Sequence, residues 1–556
     1  MRGLHIIRSG LALAVAFLCL PSCSSFVDCT TRRDCPSDLA YAGGAANVSA
    51  KGGSSGDTSA TSGKGGTSGV SGTSGESGTE AGAGSGGAAP MCDGSLSPDV
   101  DDCVISDEYG VFVSPTGDDA TADGTQGKPY ATLTKALANG AKKRVYVCAA
   151  DYVEPATIEI ADRVSIYGGF SCDEGNWKYD SSFPAHLLPQ SAVGATITDA
   201  SVGVTLEDVR IDAQNAADDG SGASSFGLAI IRSKNVALKR VEIRAGKGGL
   251  GAKGADGATG VDGVASGPDQ NGAAGSCTPT GTSKRGPDPV PLQCGSQGGG
   301  GGDAQVGTSY ASSQDGRGGF QVVPSNGGKG GDMPKKPGAN GQPGDIGPQG
   351  DTGVAAPPVG AFSANGYAVA SGGNGTPGKP GQGGGGGGAS LGTATCMGTT
   401  GGAGGLGGCG GDSGIGGTGG GASVALLSWQ SKVLIDSCTL TAVSGGAGGD
   451  GGKGHAGGAG KAGGTGGTGD GVTFGSGGDG GRGGFGGAGG NGAGGSGGPS
   501  ISLVYDGTAP TQLGTSSLNF APTPSAAGKG GTLGLSTDYG PDGSKGLTQD
   551  IYPKQP

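Results

Sequence analysis

The sequence predicts an all-β protein: a parallel β-helix interrupted by long glycine-rich insertions. An eight-residue apolar pattern occurs four times, and a further short apolar stretch precedes each copy. Glycine accounts for 135 of the 556 residues and is concentrated between the copies. Three short strands per repeat describe one coil, whose inward aliphatic side chains stack on those of the next coil. Four unrelated strands of an antiparallel sandwich are the alternative.

The first 22 residues predict export. Arg2 and Arg8 precede the apolar stretch Leu11 to Leu20, which is too short to span a bilayer. Removing these arginines from the 35 basic residues leaves 33 against 47 acidic residues, a net charge of −14. The net negative charge and the low aromatic content of 4% argue against nucleic acid as a partner.

Residues 20–23, LPSC, resemble the lipobox of bacterial lipoproteins, in which the signal peptide is cut before a cysteine that carries lipid. The resemblance implies a signal peptide over 1–22, lipidation of Cys23 and anchoring to a membrane through the lipid. Ser24, where some lipoproteins have Asp, resembles those sorted to the outer membrane or cell surface. The alternative is an ordinary secretory signal, with Cys23 incidental.

Residues 23–91 are expected to form a lipidated tether, because Ser, Gly, Thr and Ala dominate them from about residue 38. Such a composition buries too little apolar surface to offset chain entropy. About 50 residues of such coil reach ~40 Å root-mean-square, so the folded part stands off the membrane.

Residues 92–245 are predicted to contain a cap and the first coils. Val111–Val113 and Arg144–Cys148 read as strands, with a helix near Ala131–Ala141 between them. Together with YVEPATIEIADRVSIYGGF, this stretch resembles the start of right-handed parallel β-helix proteins of the pectin-lyase-like class. The resemblance covers roughly 110–170. It implies that the helix caps the stack and that RVSIYGGF is an early coil.

In the repeat, positions 1, 6 and 8 are apolar, and position 3 is Leu, Leu, Ile or Thr. Asp208, Lys239, Arg240 and Asp436 occupy the bend between the two strands of a copy, where we expect charge to face water. The preceding third strands are ATIT, LAII, VALL and ISLV. The four copies are VTLEDVRI (204–211), VALKRVEI (236–243), VLIDSCTL (433–440) and LGTSSLNF (513–520).

The export route makes disulfides possible. Pairing by proximity in sequence is the simplest of many connectivities. Cys438 has no partner in this pairing scheme. It stands at the inward-facing repeat position that Val209 and Val241 occupy in the first two copies, so we expect a buried free thiol. The suspected proximity pairs are Cys29 with Cys35, Cys92 with Cys103, Cys148 with Cys172, Cys277 with Cys294, and Cys396 with Cys409.

Glycine-rich insertions are expected at 246–421 and 445–499, separated by a coil at 422–444 and followed by a last coil and tail at 500–556. A three-residue glycine period is that of the polyproline II helix. We hypothesise a packed bundle of such helices that hydrogen-bond laterally; flexible low-complexity loops are the alternative. Strict triplets occur at 248–263, 338–353, 372–387, 402–420, 445–469 and 477–498.

No residue pattern predicts a catalytic or metal site, or a cofactor. Neither His186 nor His455 has partners at metal-ligand spacing. The GxGxxG pattern recurs only as part of the low-complexity glycine runs, so it does not indicate a nucleotide-binding site. Carboxylates do not recur at one position from copy to copy, so they do not indicate a polysaccharide-cleaving site. The remaining candidates are Asp118, Asp119 and Asp123 in a loop near the cap, Trp177 and Tyr179 as sugar-stacking aromatics, and Arg210 and Arg240, which we expect to be solvated.

The whole is similar to glycine-rich, pectin-lyase-like surface lipoproteins often labelled PE-PGRS-like, although no Pro-Glu N-terminal domain is present. The expected function is a non-enzymatic cell-surface lipoprotein, a structural or adhesive scaffold that contacts matrix, polysaccharide or surface proteins of other cells. A β-helix polysaccharide lyase or hydrolase is the alternative from another class, since fold alone does not fix function. A flat ice- or surface-binding bundle would require ordered glycine runs.

Overall fold

The structure, a computed structural model, describes residues 92–139, 144–172, 175–307, 314–319, 326–327, 329, 335–532 and 539–553. The predicted signal peptide (1–22), the lipidated Cys23 and the tether (23–91), with its suspected disulfide between Cys29 and Cys35, lie outside these residues. Among the described residues, no helix has the length and apolar character needed to cross a membrane.

The described part of the chain is nearly all β, and its three large sheets are built from parallel strands. One further strand, Lys178–Tyr179, pairs antiparallel with the first sheet. The parallel strands of the first sheet are Gly110–Val113, Arg144–Cys148, Ser165–Ser171, Val204–Glu207, Val236–Lys239, Val433–Asp436 and Thr511–Leu513.

The second and third sheets have six strands each. Those of the second sheet are Asp151–Glu154, Ala185–Pro189, Val209–Asp212, Glu242–Arg244, Thr439–Thr441 and Ser517–Asn519. Those of the third sheet are Ile158–Ile160, Val193–Thr198, Ser225–Ile231, Ser423–Trp429, Ser500–Asp506 and Thr548–Pro553.

From Arg144 onward the chain visits the first, second and third sheets in the same order, six times over. The glycine-rich segments all lie between a strand of the second sheet and the next strand of the third. Two short antiparallel pairs lie within the longer insertion, Ser283–Lys284 with Ala304–Gln305 and Ala361–Ser363 with Gly366–Ala368. The helical elements that lie wholly within the described residues are the α-helix Leu133–Ala138 and the 3-10 helices Asp102–Val104 and Pro268–Gln270.

The first three repeat copies pair in the register that the sequence predicts. Val236 lies beside Val204 and Val433, and Leu238 beside Leu206 and Ile435. All of these side chains are buried in one continuous core. Alternation along each strand thus stacks like side chains from neighbouring repeats, as expected when a strand has one face in the core.

The predicted register of the fourth copy, 513–520, is wrong. Asp436, at position 4 of the third copy, pairs with Leu513, which the pattern places at position 1. Leu440, at position 8, pairs with Leu518 rather than with Phe520. Leu513 is 49% exposed and Phe520 37% exposed, so apolar character at these two positions does not reflect burial.

The bends between first-sheet and second-sheet strands hold residues in the left-handed backbone region. Asp208, Arg240 and Ser437 occupy the same position in successive copies, with φ of 53°, 51° and 55°. Non-glycine residues rarely adopt this conformation, and Asp is among those that tolerate it best. The prediction that bend charges face water is wrong for Asp208, whose side chain is 1% exposed.

The cap region contains a single short helix. Thr132 is its N-cap and accepts a hydrogen bond from Lys135 N, while the buried Glu154 carboxylate accepts one from Leu133 N at 2.8 Å. These acceptors satisfy N–H groups that have no partner within the helix. Leu133 and Ala136 face the core, so the helix packs on the sheets through one side, and it is shorter than the predicted Ala131–Ala141.

Two of the five proximity disulfides occur in the described residues. Cys92 is bonded to Cys103 and Cys148 to Cys172. The predicted pairs of Cys277 with Cys294 and of Cys396 with Cys409 are wrong, because two long-range bonds, Cys277–Cys396 and Cys294–Cys409, replace them. The fifth pair, Cys29 with Cys35, falls in the part of the chain that the structure does not describe and stays a prediction.

The long-range bonds follow from how the glycine runs lie. Residues 249–261 run antiparallel to residues 409–421, with Gly421 N donating to Gly249 O and Cys409 N to Val261 O, both at 2.9 Å. Beyond this pairing, Ser276 and Met397 exchange backbone hydrogen bonds. Cysteines that are distant in sequence therefore become neighbours in space.

Cys438 is a buried free thiol in the core beneath the first and second sheets. Its Sγ accepts a hydrogen bond from Val241 N at 3.4 Å and donates to a nearby backbone carbonyl. Burial raises the pKa of the Cys438 thiol to about 11, against an ordinary value of 9.0.

Because the folded-state pKa is the higher one, the thiol contributes stability below pH 9 that is lost as the pH rises through 11. We predict that Cys438→Val, which installs the residue found at this slot in the first two copies, removes this loss. The free energy of unfolding of the wild type should fall relative to the variant by about 2 kcal/mol over that interval. Urea titrations of both proteins at pH 8 to 11 measure the difference, and parallel pH profiles would contradict a buried thiol.

Candidate functional site

The glycine-rich insertions form an ordered lobe whose centre is the segment 477–498, called here the central run. Backbone hydrogen bonds join the central run to six neighbouring segments. Such lateral bonding satisfies the N–H and C=O groups that an isolated extended glycine chain would leave to water. The six neighbours are residues 338–353, 370–388, 402–420, 445–469, 526–531 and 540–546.

The bonds recur every third residue, so the sequence period and the bonding period coincide. Gly478 donates to Gly388 and Ser496 to Ala370 at the two ends of one contact, each at 2.9 Å. The adjacent residues of the triplet face elsewhere. Gly480 donates to Gly464 at 2.8 Å, while Asp479 presents its side chain to solvent.

Glycine is required because the backbones of adjacent runs approach closely. A Cβ placed on Gly486 would lie 1.9 Å from the carbonyl oxygen of Cys409, far inside contact distance. The obstacle is backbone rather than a flexible side chain, so neither run can yield without breaking its own hydrogen bonds. The glycines of the central run are thus packing positions.

The solvent-facing triplet position of the central run changes along its length. Asp479, Arg482 and Phe485 are exposed, whereas the same position is occupied by Gly494 and Gly497 further on. There the segment 540–546 covers the run, and Gly494 N and Gly497 N donate to Pro541 O and Ser544 O at 2.9 and 2.8 Å. Exposed side chains therefore occur at this position where the lobe meets water, and glycine occurs where the segment 540–546 packs.

Acidic and amide side chains on the lobe tie neighbouring runs together. Asp256 Oδ1 accepts a hydrogen bond from Lys453 N at 2.9 Å, and Asp262 Oδ1 accepts one from Ala459 N at 2.7 Å. The backbone N–H of Lys453 is the largest influence that lowers the pKa of Asp256. These carboxylates are engaged as acceptors within the lobe.

The loop carboxylates near the cap do not form a cluster that could act together. Asp118 accepts from Ala120 N and Thr121 Oγ1, and Asp123 from Thr125. Asp119 accepts from the backbone N–H groups of Ala131 and Thr132, just before the helix. Each stabilises its own turn or the helix start, which is a structural use of Asp.

Trp177 and Tyr179 lie together in an aromatic cluster over the first sheet. The Trp177 ring is 4.6 Å from Phe112 between centroids, and the Tyr179 ring is 5.7 Å from Phe170. Both line an open cleft of about 700 Å³, which Asp99 and Asp101 also line. The two aromatics are thus brought beside carboxylates, although much of each ring is used in packing.

Next to this cleft, five charged side chains form one ion-paired network. Asp99 contacts Lys239 and Arg240, which in turn contact Glu207 and Asp208. The Glu207 side chain is 2% exposed, and burial raises its pKa. Every carboxylate faces a cation, so the network fastens the segment that carries Asp99 to the sheet.

Arg240 is therefore not solvated as predicted. Its guanidinium bonds both oxygens of Asp208 and also the hydroxyl of Tyr179 at 2.7 Å. Its pKa is raised chiefly by the hydrogen bonds with Asp208. Removing one partner of such a buried pair leaves an uncompensated charge.

His186 lies on the outward face of the second sheet and is held between two carboxylates. Its Nδ1 is 2.8 Å from Asp151 Oδ1 and its Nε2 is 3.1 Å from Asp212 Oδ2. Arg210 binds the same Asp212 oxygen at 2.6 Å and lies 3.9 Å from Glu242. Burial alone would raise the pKa of Asp212, but hydrogen bonds from Arg210 and His186 outweigh it and lower that pKa.

Strand register produces this row, since Asp151, His186, Arg210 and Glu242 pair in succession on neighbouring strands. Their inward neighbours Leu187, Ile211 and Ile243 fix the outward orientation. Beside the row is a cleft of about 220 Å³. Its lining includes Arg210, Asp212, Glu242, Arg244, Thr439 and Thr441.

Sequence reasoning missed this constellation because Ala185–Pro189 was not recognised as a strand. The alternation in AHLLP, with Ala185, Leu187 and Pro189 buried, is the signal that could have found it. His455 has no comparable setting, since its Nδ1 lies 3.4 Å from Thr259 Oγ1.

In the part of the chain that the structure describes, no three His, Cys, Asp or Glu side chains form a group able to hold a metal ion. Comparison with protein-family models, curated proteins and solved structures gave no match. The site is therefore interpreted from its own geometry.

We predict that Gly486→Ala opens the lobe locally, because the new Cβ meets the Cys409 carbonyl. A local loss of about 1–3 kcal/mol corresponds to amide hydrogen exchange that is roughly 5- to 150-fold faster. Exchange across 477–498, measured by peptide mass spectrometry, tests this. Phe485→Ala is the matched control, since that side chain is 47% exposed and its loss should leave exchange unchanged. Unaltered protection in Gly486→Ala would contradict tight packing.

Proposed function

We propose that this chain is a non-enzymatic, lipid-anchored cell-surface protein in which a rigid glycine lobe makes structural or adhesive contacts with matrix, glycan or other cells. The hydrogen-bonded central run with six neighbours carries the proposal. A linker needs no defined conformation, whereas this lobe holds its side chains at fixed intervals on one surface. Display of such a surface is the use that its construction favours.

The proposal includes a finer description of the fold. Three parallel sheets visited in a fixed cyclic order support a right-handed parallel β-helix, since crossovers between parallel strands are nearly always right-handed. Extended glycine segments bonded at three-residue intervals support polyproline II-like helices in the lobe. The β-helix would then act as the base from which all glycine segments project at one corner.

The engagement of charged groups near the cap also supports a non-catalytic role. Asp99, Glu207 and Asp208 are neutralised by Lys239 and Arg240, and the loop acids support local turns. A catalytic acid or base needs access to a substrate proton. These carboxylates are committed to holding the chain together.

We predict that cells displaying the full lipid-anchored chain sediment or aggregate faster than cells without it. Gly486→Ala, which opens the lobe, should abolish most of the difference. Gly127→Ala is the matched control, because a Cβ there meets nothing within 4 Å. If cells displaying the Gly486→Ala variant aggregate as fast as cells displaying the same amount of wild-type chain, the lobe is not responsible for adhesion.

A second function is favoured by the outward row on the second sheet. Asp151, His186 and Asp212 provide carboxylate and imidazole groups within hydrogen-bonding distance, beside an open cleft with Arg210. Such groups can transfer protons during cleavage of a glycosidic bond. A polysaccharide lyase or hydrolase would use them.

Substitution of His186 and, as a control, of His455 distinguishes this alternative from the non-enzymatic proposal. If the row is catalytic, His186→Gln should lower release of new chain ends from a panel of acidic and neutral polysaccharides by about 100-fold or more. His455→Gln should not change it. The non-enzymatic proposal expects no release above background from the wild type or from either variant.

A further inference from the structure

The lobe has an open edge along the run 248–263. Two neighbouring runs bond to it, since Gly254 N donates to Asp450 O and Ile415 N donates to Ala255 O, at 2.8 and 2.9 Å. Val261, on the open side, is 62% exposed.

The beginning of the open side is already occupied by another piece of the chain. Gly249 N donates to Ala223 O at 2.7 Å, Ala252 N to Gly220 O at 2.8 Å, and Gly222 N to Leu250 O at 3.0 Å. This segment accompanies the run only as far as Ala252. It shows how a neighbouring strand of chain bonds to this side.

Beyond Ala252 the same row of groups continues without partners among the residues that the structure describes. The N–H groups of Ala255, Ala258 and Val261 follow Gly249 and Ala252 at three-residue intervals, and they donate to no described residue. The carbonyls of Lys253, Asp256 and Thr259 continue the row of Leu250 and accept from no described residue. An unpaired row of this kind is a template for another segment, as at the edge of a β-sheet.

The chemistry of the occupant is set by how closely the first segment approaches. A Cβ on Gly220 would lie 2.9 Å from the Cβ of Ala252. Ala255 and Ala258 repeat Ala252 along the open edge, so an incoming segment needs glycine opposite them. Its glycines must recur at every third residue to stay in register.

Residues 63–87 have this spacing. Glycine occupies positions 63, 66, 69, 72, 75, 78, 84 and 87, and Ala81 fills the one remaining slot. The described glycine runs bond to one another within their own lobe, whereas this stretch lies outside the described residues. Its length exceeds the open edge, residues 253–263, which spans ~34 Å at 3.1 Å per residue.

We propose that the edge 253–263 binds residues 63–87 of a second copy of this chain. The inference rests on the surface-anchored lobe of the proposed function, because copies confined to one membrane have a high effective concentration. The contact is heterologous, so each bound copy still offers its own edge and its own glycine segment. Copies can therefore associate head to tail into an array.

The test is amide hydrogen exchange on the full chain in detergent at increasing protein concentration. Exchange at 253–263 should slow by at least about tenfold as copies associate. The triple variant Gly69→Val/Gly72→Val/Gly75→Val should abolish this protection, because its side chains enter the triplet slots. The matched control Ser71→Val/Ser74→Val/Ser77→Val leaves the glycine spacing intact and should retain it.

Rapid, concentration-independent exchange at 253–263 in the wild type would overturn the proposal. Protection that does not change on dilution would overturn the second copy as the source of the segment. Exchange across 477–498 in the same digests reports the lobe separately. Slow exchange there with an unprotected edge would refute only this inference and leave the proposed function standing.

Discussion

Contact between bare backbones at every third residue is the constraint on which the lobe depends. An extended chain has no internal hydrogen bonds, so its polar groups must be satisfied by neighbours. The neighbours can approach only where Cβ atoms are absent, as between Gly486 and Cys409 O. Glycine gives up more conformational freedom on ordering than other residues, and lateral bonds on several sides of each run must offset this entropy.

The same constraint divides the molecule into two kinds of packing. In the three-sheet part, Val, Leu and Ile side chains interdigitate, and burial of apolar surface is the main stabilising term. In the lobe, side chains are largely excluded from the interior, and hydrogen bonding between backbones replaces them. Each glycine-rich segment leaves a strand of the second sheet and enters the next strand of the third sheet. Because those strands are neighbours within their sheets, the segments begin and end beside one another.

Much of this arrangement is visible in the sequence. The register of Val204, Val236 and Val433 follows from apolar periodicity, and the triplet spacing marks the ordered runs. The register prediction for the fourth copy failed because Leu513 and Phe520 match the apolar pattern although their side chains are exposed. Cysteine pairing within the lobe failed for a different reason: which run lies beside which is decided by backbone contacts between segments far apart in sequence. The position of His186 between two carboxylates depends on how three strands pair, and the local sequence pattern does not reveal that pairing.

The position of the central run along the chain has a consequence for how the protein is made. The segment that touches six others, 477–498, is synthesised after four of them. Until it is made, the earlier runs lack one set of partners for their backbone N–H and C=O groups. The lobe must therefore assemble late and through contacts between distant residues, which makes folding slow.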